Sequence, residues 1–167
     1  MRRKILMQAL LAAGILLGAP PVAAQVGLQA GGLVSWLYEY NGPRAGFYGG
    51  VHYDLHDRVR VGVLYVNKGR EDFGIHSIEA PITYRQPVGE IGHVFVGVAP
   101  SYDDHGHRMS DPFEISALFG LAIDVLPSAA RRIQLEAAFS QGLIGAQHDT
   151  TWVPRSYKTV RVGLNIR

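Results

Sequence analysis

Residues 132–142, RIQLEAAFSQG, decide the fold. Ile133, Leu135 and Ala137 are apolar, and the polar residues Gln134 and Glu136 stand between them. A period of two predicts a β-strand, because an amphipathic helix would repeat its apolar residues every three or four positions. One face of this strand is therefore apolar and the other polar, and the class of protein depends on what surrounds each face.

The first 24 residues have the layout of a secretory signal peptide. Basic residues at positions 2–4 precede an apolar run, which ends in the small residues at 22–24. A retained membrane anchor is the alternative, but the run is short and Pro20-Pro21 interrupts it. We therefore predict that residues 1–24 are a signal peptide and that residues 25–167 form a single domain.

The composition argues against several classes of function. The chain has a net charge of +2, but Arg2, Arg3 and Lys4 belong to the predicted leader, so the charge is no argument for nucleic-acid binding. Cysteine is absent, and an exported domain must then be stable without disulfides. No glycine-rich phosphate-binding turn opens a helix, and no basic patch alternates with aromatic residues. We predict no nucleotide or nucleic-acid ligand.

Alternation of the same kind continues along the chain. It predicts eight strands, at residues 26–38, 45–55, 58–68, 76–86, 91–102, 113–125, 132–142 and 157–167. The connections after the second, fourth and sixth strands are short, and the others are longer and more polar. This arrangement is typical of an outer-membrane barrel. The predicted fold class is all-β, an eight-stranded antiparallel up-and-down transmembrane β-barrel. Pro81 predicts a local break in the fourth strand, because proline cannot donate a ladder hydrogen bond.

The aromatic residues of the apolar face indicate which face meets lipid. They collect at two levels, one near the long loops and one near the short turns, as membrane interfaces select. The first group is Trp36, Tyr38, Phe47, Tyr65, Phe113 and Phe139, and the second is Tyr53 and Tyr84. A soluble lipocalin-like barrel, with these rings in an apolar core, is the alternative that alternation alone leaves open.

The polar face would then line the lumen. Eight strands enclose a space that side chains fill, so we predict a packed polar core and not a pore. Its charges must be paired, because an unpaired buried charge costs about 3 to 5 kcal/mol. We predict a structural lumenal ion-pair network of Arg60, Glu79, Arg85, Glu114, Asp124, Arg132, Glu136 and Arg161, with Asp54 and Arg58 on the same face. The most specific predicted pair is Glu136 with Arg161.

Two segments carry a family resemblance, IEAPITYR at residues 78–85 and LEAAFSQGL at residues 135–143. With GLQAGGLVSW near the start and VRVGLNIR at the close, the chain resembles the outer-membrane β-barrel domain family, which includes PorT-like and OmpA/OmpX-like eight-stranded barrels. The resemblance implies a barrel in a Gram-negative outer membrane and implies no single activity. One departure is the ending Asn165-Ile166-Arg167, where such barrels usually carry an aromatic residue that the assembly machinery reads.

Lipid hydrolysis and metal binding are the two chemical alternatives. A lipid A deacylase-like hydrolase needs a histidine base beside its serine, but Ala138 occupies that position before Ser140. His76 and Ser77 are adjacent on a strand and so point to opposite faces. The loop DDHGH at residues 103–107, with His148-Asp149, offers cation ligands but lacks the spacing of a structural zinc site. We predict no catalytic residues, no metal and no cofactor.

The sequence therefore predicts a non-catalytic barrel of the cell envelope, located in the outer membrane. Its expected roles are envelope integrity, adhesion or partner docking through the long loops at 103–112 and 143–156. Its expected partners are membrane lipid, the outer-membrane assembly machinery and an envelope protein bound by those loops. The alternatives are a soluble lipocalin-like periplasmic binding barrel and a lipid A deacylase-like hydrolase.

Overall fold

A computed structural model of the protein describes residues 25–36, 42–56, 58–69, 76–104, 113–127, 132–144 and 158–167. These ranges contain nine strand segments: β1 (Gln25–Trp36), β2 (Pro43–His56), β3 (Val59–Asn67), β4 (His76–Glu79), β5 (Ile82–Val88), β6 (Gly92–Asp104), β7 (Phe113–Pro127), β8 (Arg132–Ile144) and β9 (Lys158–Ile166). The predicted signal peptide and most of each long loop lie outside the described residues. Within the described ranges, no helix has the length and apolar character needed to cross a membrane.

Antiparallel pairing closes the sheet on itself. Except for β4 and β5, each strand segment pairs with the next along the chain, and β1 pairs with β9 from Leu28 opposite Ile166 to Trp36 opposite Lys158. β4 and β5 are two halves of one barrel strand, because both pair with β3 on one side and β6 on the other. The described residues thus form an eight-stranded closed antiparallel barrel, and the predicted fold class is confirmed.

The interruption between β4 and β5 lies at Ala80 and Pro81, as the sequence predicts. Proline has no N–H to donate, so the regular ladder stops there. The backbone still crosses the gap by two hydrogen bonds. The N–H of Ala80 donates to the carbonyl of Pro100 at 2.8 Å, and the N–H of Gly62 donates to the carbonyl of Pro81 at 2.9 Å.

The wall is apolar outside and polar inside, the reverse of a water-soluble barrel. In β9 the residues Thr159, Arg161 and Asn165 are buried, whereas Val160 and Val162 are exposed. A register shift in β7, between Asp124 and Leu126, has a visible effect on this alternation. Asp124 is buried and both Val125 and Leu126 are exposed, which is the local irregularity that a bulge introduces.

We call the end that carries the β2–β3, β5–β6 and β7–β8 connections the short-turn end. The opposite end, where β1, β3, β6 and β8 finish, is the long-loop end. The chain returns to the short-turn end at Ile166, opposite Ile133 of β8.

Candidate functional site

The outer wall is a continuous apolar belt that makes a membrane-facing surface. At mid-height it presents branched aliphatic side chains, among them Val96, Leu121 and Val162, all exposed. Exposed aromatic side chains surround the long-loop end, at Trp36, Phe47, Tyr65, Tyr102 and Phe113. Tyr53 and Tyr84 lie toward the short-turn end. Aromatic residues at two levels beside an aliphatic band are typical of a transmembrane barrel.

Two predicted belt residues need comment. Phe139 lies nearer the middle of its strand than the long-loop end, and its ring packs on Phe119 with centroids 5.0 Å apart. Tyr38 lies outside the described residues. At the long-loop end, the ring of Tyr65 is 6.1 Å from Phe47 and 5.7 Å from His76, and its hydroxyl lies 2.5 Å from His76 Nδ1.

Glu136 is the centre of the polar network inside the barrel. Its Oε1 accepts a hydrogen bond from Gln29 Nε2 at 2.9 Å, and its Oε2 accepts one from Asn165 Nδ2 at 2.8 Å. Arg85 lies 3.4 Å and Arg60 3.6 Å from the same Oε2. Side chains from β1, β3, β5 and β9 therefore converge on one carboxylate of β8.

A second layer of charge lies closer to the short-turn end. Asp54 stands between two guanidinium groups, 2.7 Å from Arg60 Nε and 3.0 Å from Arg167 Nε. Asp124 accepts a hydrogen bond from Gln134 Nε2 at 2.5 Å and lies 3.2 Å from Arg132 Nε. We call the Glu136 layer and this second layer together the arginine cluster.

The prediction that Glu136 forms an ion pair with Arg161 is wrong. Arg161 forms its ion pair with Glu79, at 2.6 Å, on the opposite side of the barrel. The register places Ala138, not Glu136, across from Arg161 on the neighbouring strand. The long arginine side chain therefore crosses the lumen to β4, and Glu136 is occupied by Gln29, Asn165, Arg60 and Arg85.

A separate cluster occupies the long-loop end of the lumen. Lys68 Nζ lies 3.1 Å from Asp103 Oδ2 and 3.6 Å from Glu114 Oε2. Ser116 donates a hydrogen bond to Glu114 at 3.2 Å, and Ser35 donates one to the carbonyl of Lys68 at 2.8 Å. We call these residues the lysine cluster.

The lysine cluster corrects one expectation about the loop at 103–112. The sequence predicts that Asp103 belongs to a polar loop with cation ligands, but Asp103 is buried in β6 and paired with Lys68. His105 and His107 lie outside the described residues. Among the residues that the structure does describe, no group of three or more histidine, aspartate or glutamate side chains is arranged to hold a metal ion.

The predicted network residues can now be located. Each of them has an ion-pair partner, but they divide between the arginine cluster, the Glu79–Arg161 pair and the lysine cluster; they are Arg60, Glu79, Arg85, Glu114, Asp124, Arg132, Glu136 and Arg161. Arg58, which was assigned to the same face, is exposed in the β2–β3 turn and donates a hydrogen bond to the Tyr84 hydroxyl at 3.1 Å. The turn backbone, and not strand alternation, sets its direction.

Sequence reasoning missed five members of these clusters, which are Gln29, Ser35, Lys68, Asp103 and Arg167. A signal for two of them was present. Lys68 continues the inward series of Leu64 and Val66 by one step, and Arg167 continues that of Asn165. Both residues lie just beyond the ends of their strands, where the predicted alternation stops.

Apolar side chains separate the charged clusters. Leu33, Tyr48, Leu64 and Val66 form one buried group, so the lumen is less uniformly polar than predicted. The Tyr48 ring fits because the inward position at 163 is glycine, where an added Cβ would collide with its hydroxyl. The guanidinium of Arg161 lies 5.8 Å from the centroid of the same ring, a favourable cation–π distance.

The two serine positions considered for hydrolysis face the lumen. Ser140 and Ser77 are both buried, while His76 is exposed on the outer face. Ala138 is the inward neighbour of Ser140 on β8. The separation of His76 from Ser77 follows the strand alternation that the sequence shows.

No protein-family model and no curated protein matches this chain. Solved structures do resemble it. Neisserial surface protein A has a TM-score of 0.52 at 16% identity, over 86% of this chain and 97% of its own. The N-terminal β-barrel domain of Pseudomonas aeruginosa OprF has a TM-score of 0.54 at 11% identity, over 86% and 98%. The de novo designed protein TMB2.3 has a TM-score of 0.56 at 12% identity, over 86% and 94%.

At these identities the likeness establishes the fold and nothing narrower. The chain has the small transmembrane-barrel fold that the OmpA/OmpX-like resemblance implies. The narrower resemblance to PorT-like proteins receives no support from these comparisons.

Proposed function

We propose that this protein is a non-catalytic β-barrel of the Gram-negative outer membrane. Its wall spans the bilayer, and the side chains that fill its lumen stabilise the wall. One observation carries the proposal. The closed wall exposes an aliphatic band between two aromatic levels and buries ion pairs on its inner face. A soluble lipocalin-like barrel would require the opposite arrangement, since its ligand cavity is apolar and its exterior is polar.

Backbone hydrogen bonding supports the same conclusion. A lipid-exposed chain must pair every N–H and C=O within the protein, because hydrocarbon offers no partners. Pairing of β1 with β9 removes the free edges that an open sheet would expose. The belt is also far more extensive than the isolated apolar patches that soluble monomers expose.

The filled lumen argues against a role in solute passage. Eight strands enclose little space, and the lumenal cavity beside Arg60, Arg85 and Glu136 has a volume of about 20 Å³, enough for one water-sized particle. The proposed roles are therefore envelope integrity, adhesion or docking of an envelope partner. The segments at 103–112 and 143–156 are suited to docking, because they begin at the ends of β6 and β8, beside the aromatic level at the long-loop end.

This proposal also includes the route to the membrane. Residues 1–24 would direct export, and the outer-membrane assembly machinery would insert the barrel. The arrangement of Ser140 and Ser77, both buried in the lumen away from lipid, supports a non-catalytic role over lipid hydrolysis.

Fractionation combined with a boiling assay tests the location. The full chain, expressed in a Gram-negative host, should fractionate with the outer membrane, and its folded and boiled forms should migrate differently on a denaturing gel. Recovery in the soluble periplasmic fraction would favour the lipocalin-like alternative and contradict the proposal.

Docking needs a second experiment. Replacement of residues 105–112 by a short turn, with a matched replacement of the β5–β6 turn as control, leaves the wall unchanged. Loss of a co-purifying envelope protein in the first variant alone would support docking through that loop. Equal recovery of the co-purifying protein in both variants would contradict docking through that loop.

A further inference from the structure

Three polar side chains form a hydrogen-bonded group on the outer face of the wall, at the short-turn end. Arg58 Nη1 donates a hydrogen bond to the Tyr84 hydroxyl at 3.1 Å, and that hydroxyl donates one to Gln86 Oε1 at 3.4 Å. All three residues are exposed. We call them the Arg58 group. They contact the surroundings of the barrel and not its lumen.

The β2–β3 turn directs Arg58 to this face. Strand alternation would direct Arg58 inward, like Arg60, but its side chain reaches Tyr84, which is an outward residue of β5. The turn backbone is held in place, because the N–H of Arg85 donates to the carbonyl of Arg58 at 2.6 Å. A guanidinium group therefore lies beside the aromatic level of the membrane-facing surface, where lipid headgroups begin.

Arg58 differs from its neighbours in how its charge is accommodated. Two other arginines at the short-turn end, Arg132 and Arg167, each form an ion pair with a lumenal carboxylate. Arg58 is held by the neutral hydroxyl of Tyr84, and none of the ion pairs among the described residues includes it. Asp57 lies outside the described residues. In the described part of the chain, the charge of Arg58 is thus available to a ligand.

The Arg58 group offers donors. Both of its side-chain oxygens already accept a hydrogen bond, Tyr84 from Arg58 and Gln86 from Tyr84. The remaining polar hydrogens belong to the guanidinium of Arg58 and to Nε2 of Gln86. A guanidinium presents its donors in a planar fork that matches two oxygens of a phosphate. The ligand that fits these donors is an anion with two oxygens on one centre.

An apolar surface begins beside the Arg58 group. Ile82 lies two residues before Tyr84 on the same face of β5 and is 48% exposed, and Val61 of β3 is opposite Ile82. Val63, which is 51% exposed, continues this surface toward mid-height. A ligand that fits both parts has an anionic head and apolar chains, whereas a free phosphate ion fits the donors alone.

We propose that the Arg58 group binds the phosphodiester of a phospholipid, in the leaflet at the short-turn end. Arg58 contacts the phosphate oxygens, and Gln86 adds a neutral donor. Tyr84 is a positioning residue that holds the guanidinium at the outer face. The acyl chains lie along Ile82 and Val63. The site depends on the proposed function, because only a barrel that spans the bilayer brings Arg58 to a lipid headgroup.

A lipid titration followed by NMR tests the site. The ¹⁵N-labelled protein, folded in a maltoside detergent without phosphate, is titrated with phosphatidylglycerol. The amide signals of Arg58, Tyr84 and Gln86 should shift and reach a plateau. Sodium phosphate supplies the head alone and diacylglycerol the chains alone. Each should need at least a tenfold higher concentration to produce the same shifts.

Charge variants separate the site from general attraction. Arg58→Gln, followed at Tyr84 and Gln86, should raise the half-saturation concentration of phosphatidylglycerol about fivefold, equivalent to about 1 kcal/mol. Lys158→Gln removes an equal charge from the exposed start of β9 at the long-loop end and should leave the titration unchanged. Arg58→Lys keeps the charge but loses the fork, so it should weaken binding at least twofold.

The positioning role of Tyr84 has its own variant. Tyr84→Phe removes only the hydroxyl that holds Arg58, and Tyr53→Phe is the matched control near the same end. Tyr84→Phe should shift the Arg58 Nε signal even without lipid and weaken binding about twofold. Tyr53→Phe should change neither. An unchanged Arg58 signal in Tyr84→Phe would overturn the positioning role.

The lipid site is overturned if the signals of the Arg58 group reach no plateau, or if sodium phosphate acts at the same concentration as phosphatidylglycerol. It is also overturned if Arg58→Lys binds like the parent protein, or if Lys158→Gln weakens binding as much as Arg58→Gln does. None of these results contradicts a transmembrane barrel, which the fractionation and boiling assay tests separately.

Discussion

Arg161 and Val162 are neighbours in β9, yet they meet opposite environments. Arg161 is 4% exposed and paired with Glu79 across the lumen, whereas Val162 is 50% exposed on the outer belt. Strand geometry alone separates them, because successive side chains point to opposite faces. Each residue type is therefore tolerated only on its own side of a wall one residue thick.

The largest loss of stability is expected from a substitution on the inner face of the wall. Arg161→Met should lower the free energy of unfolding by about 3 to 5 kcal/mol, because Glu79 would remain buried without its partner. Urea unfolding of the refolded barrel measures this loss. The double variant Arg161→Met with Glu79→Leu should recover most of it; equal stability of the single and double variants would refute the pairing.

A charge on the lipid side should cost somewhat less. Val162 is central in β9, so Val162→Arg should destabilise the barrel in lipid vesicles by about 2 to 4 kcal/mol. Val88→Arg is the matched control, since Val88 is exposed at the short-turn end of β5. It should cost only about 0 to 1 kcal/mol, the value near the interface. Equal costs for the two variants would contradict the assigned depth.

Gly163 tests how closely side chains pack on the inner face of the wall. Gly163→Ala should cost about 1 to 3 kcal/mol, because the new methyl group would collide with the Tyr48 hydroxyl and the Ala30 carbonyl. Gly32→Ala is the control, since its nearest neighbour would be the Gly46 carbonyl at 3.9 Å. The thermal unfolding midpoints of the two variants should differ clearly. A harmless Gly163→Ala would show that Tyr48 does not pack against this position.

The smallest effect is expected outside both environments. Arg58 is exposed in the β2–β3 turn, so Arg58→Gln should change the free energy of unfolding by no more than about 0.5 kcal/mol. The same urea titration measures it. A loss of stability comparable with that of Arg161→Met would indicate that Arg58 lies in the lumen, as strand alternation predicts.

Most of the wall was predictable because it follows local rules. Alternation in RIQLEAAFSQG assigned Leu135 outward and Glu136 inward, and the structure agrees. Pro81 marked the break between β4 and β5 because a missing N–H acts at its own position. Predictions were weakest at strand ends. Arg58 was predicted to lie in the lumen but is exposed, and Asp103 was predicted to lie in a loop but is buried in the lumen. Turn geometry and strand length decide these two positions.

The sequence by itself therefore determined the alternating strands, their apolar face and the charged residues available on their polar face. Tertiary structure alone decided which charges meet. Glu79 and Arg161 are 82 positions apart and lie on opposite sides of the barrel, so their contact depends on closure and stagger. Alternation sets only the face of a residue. Its partner across the lumen depends on strand register and side-chain length, which emerge when all eight strands are in place.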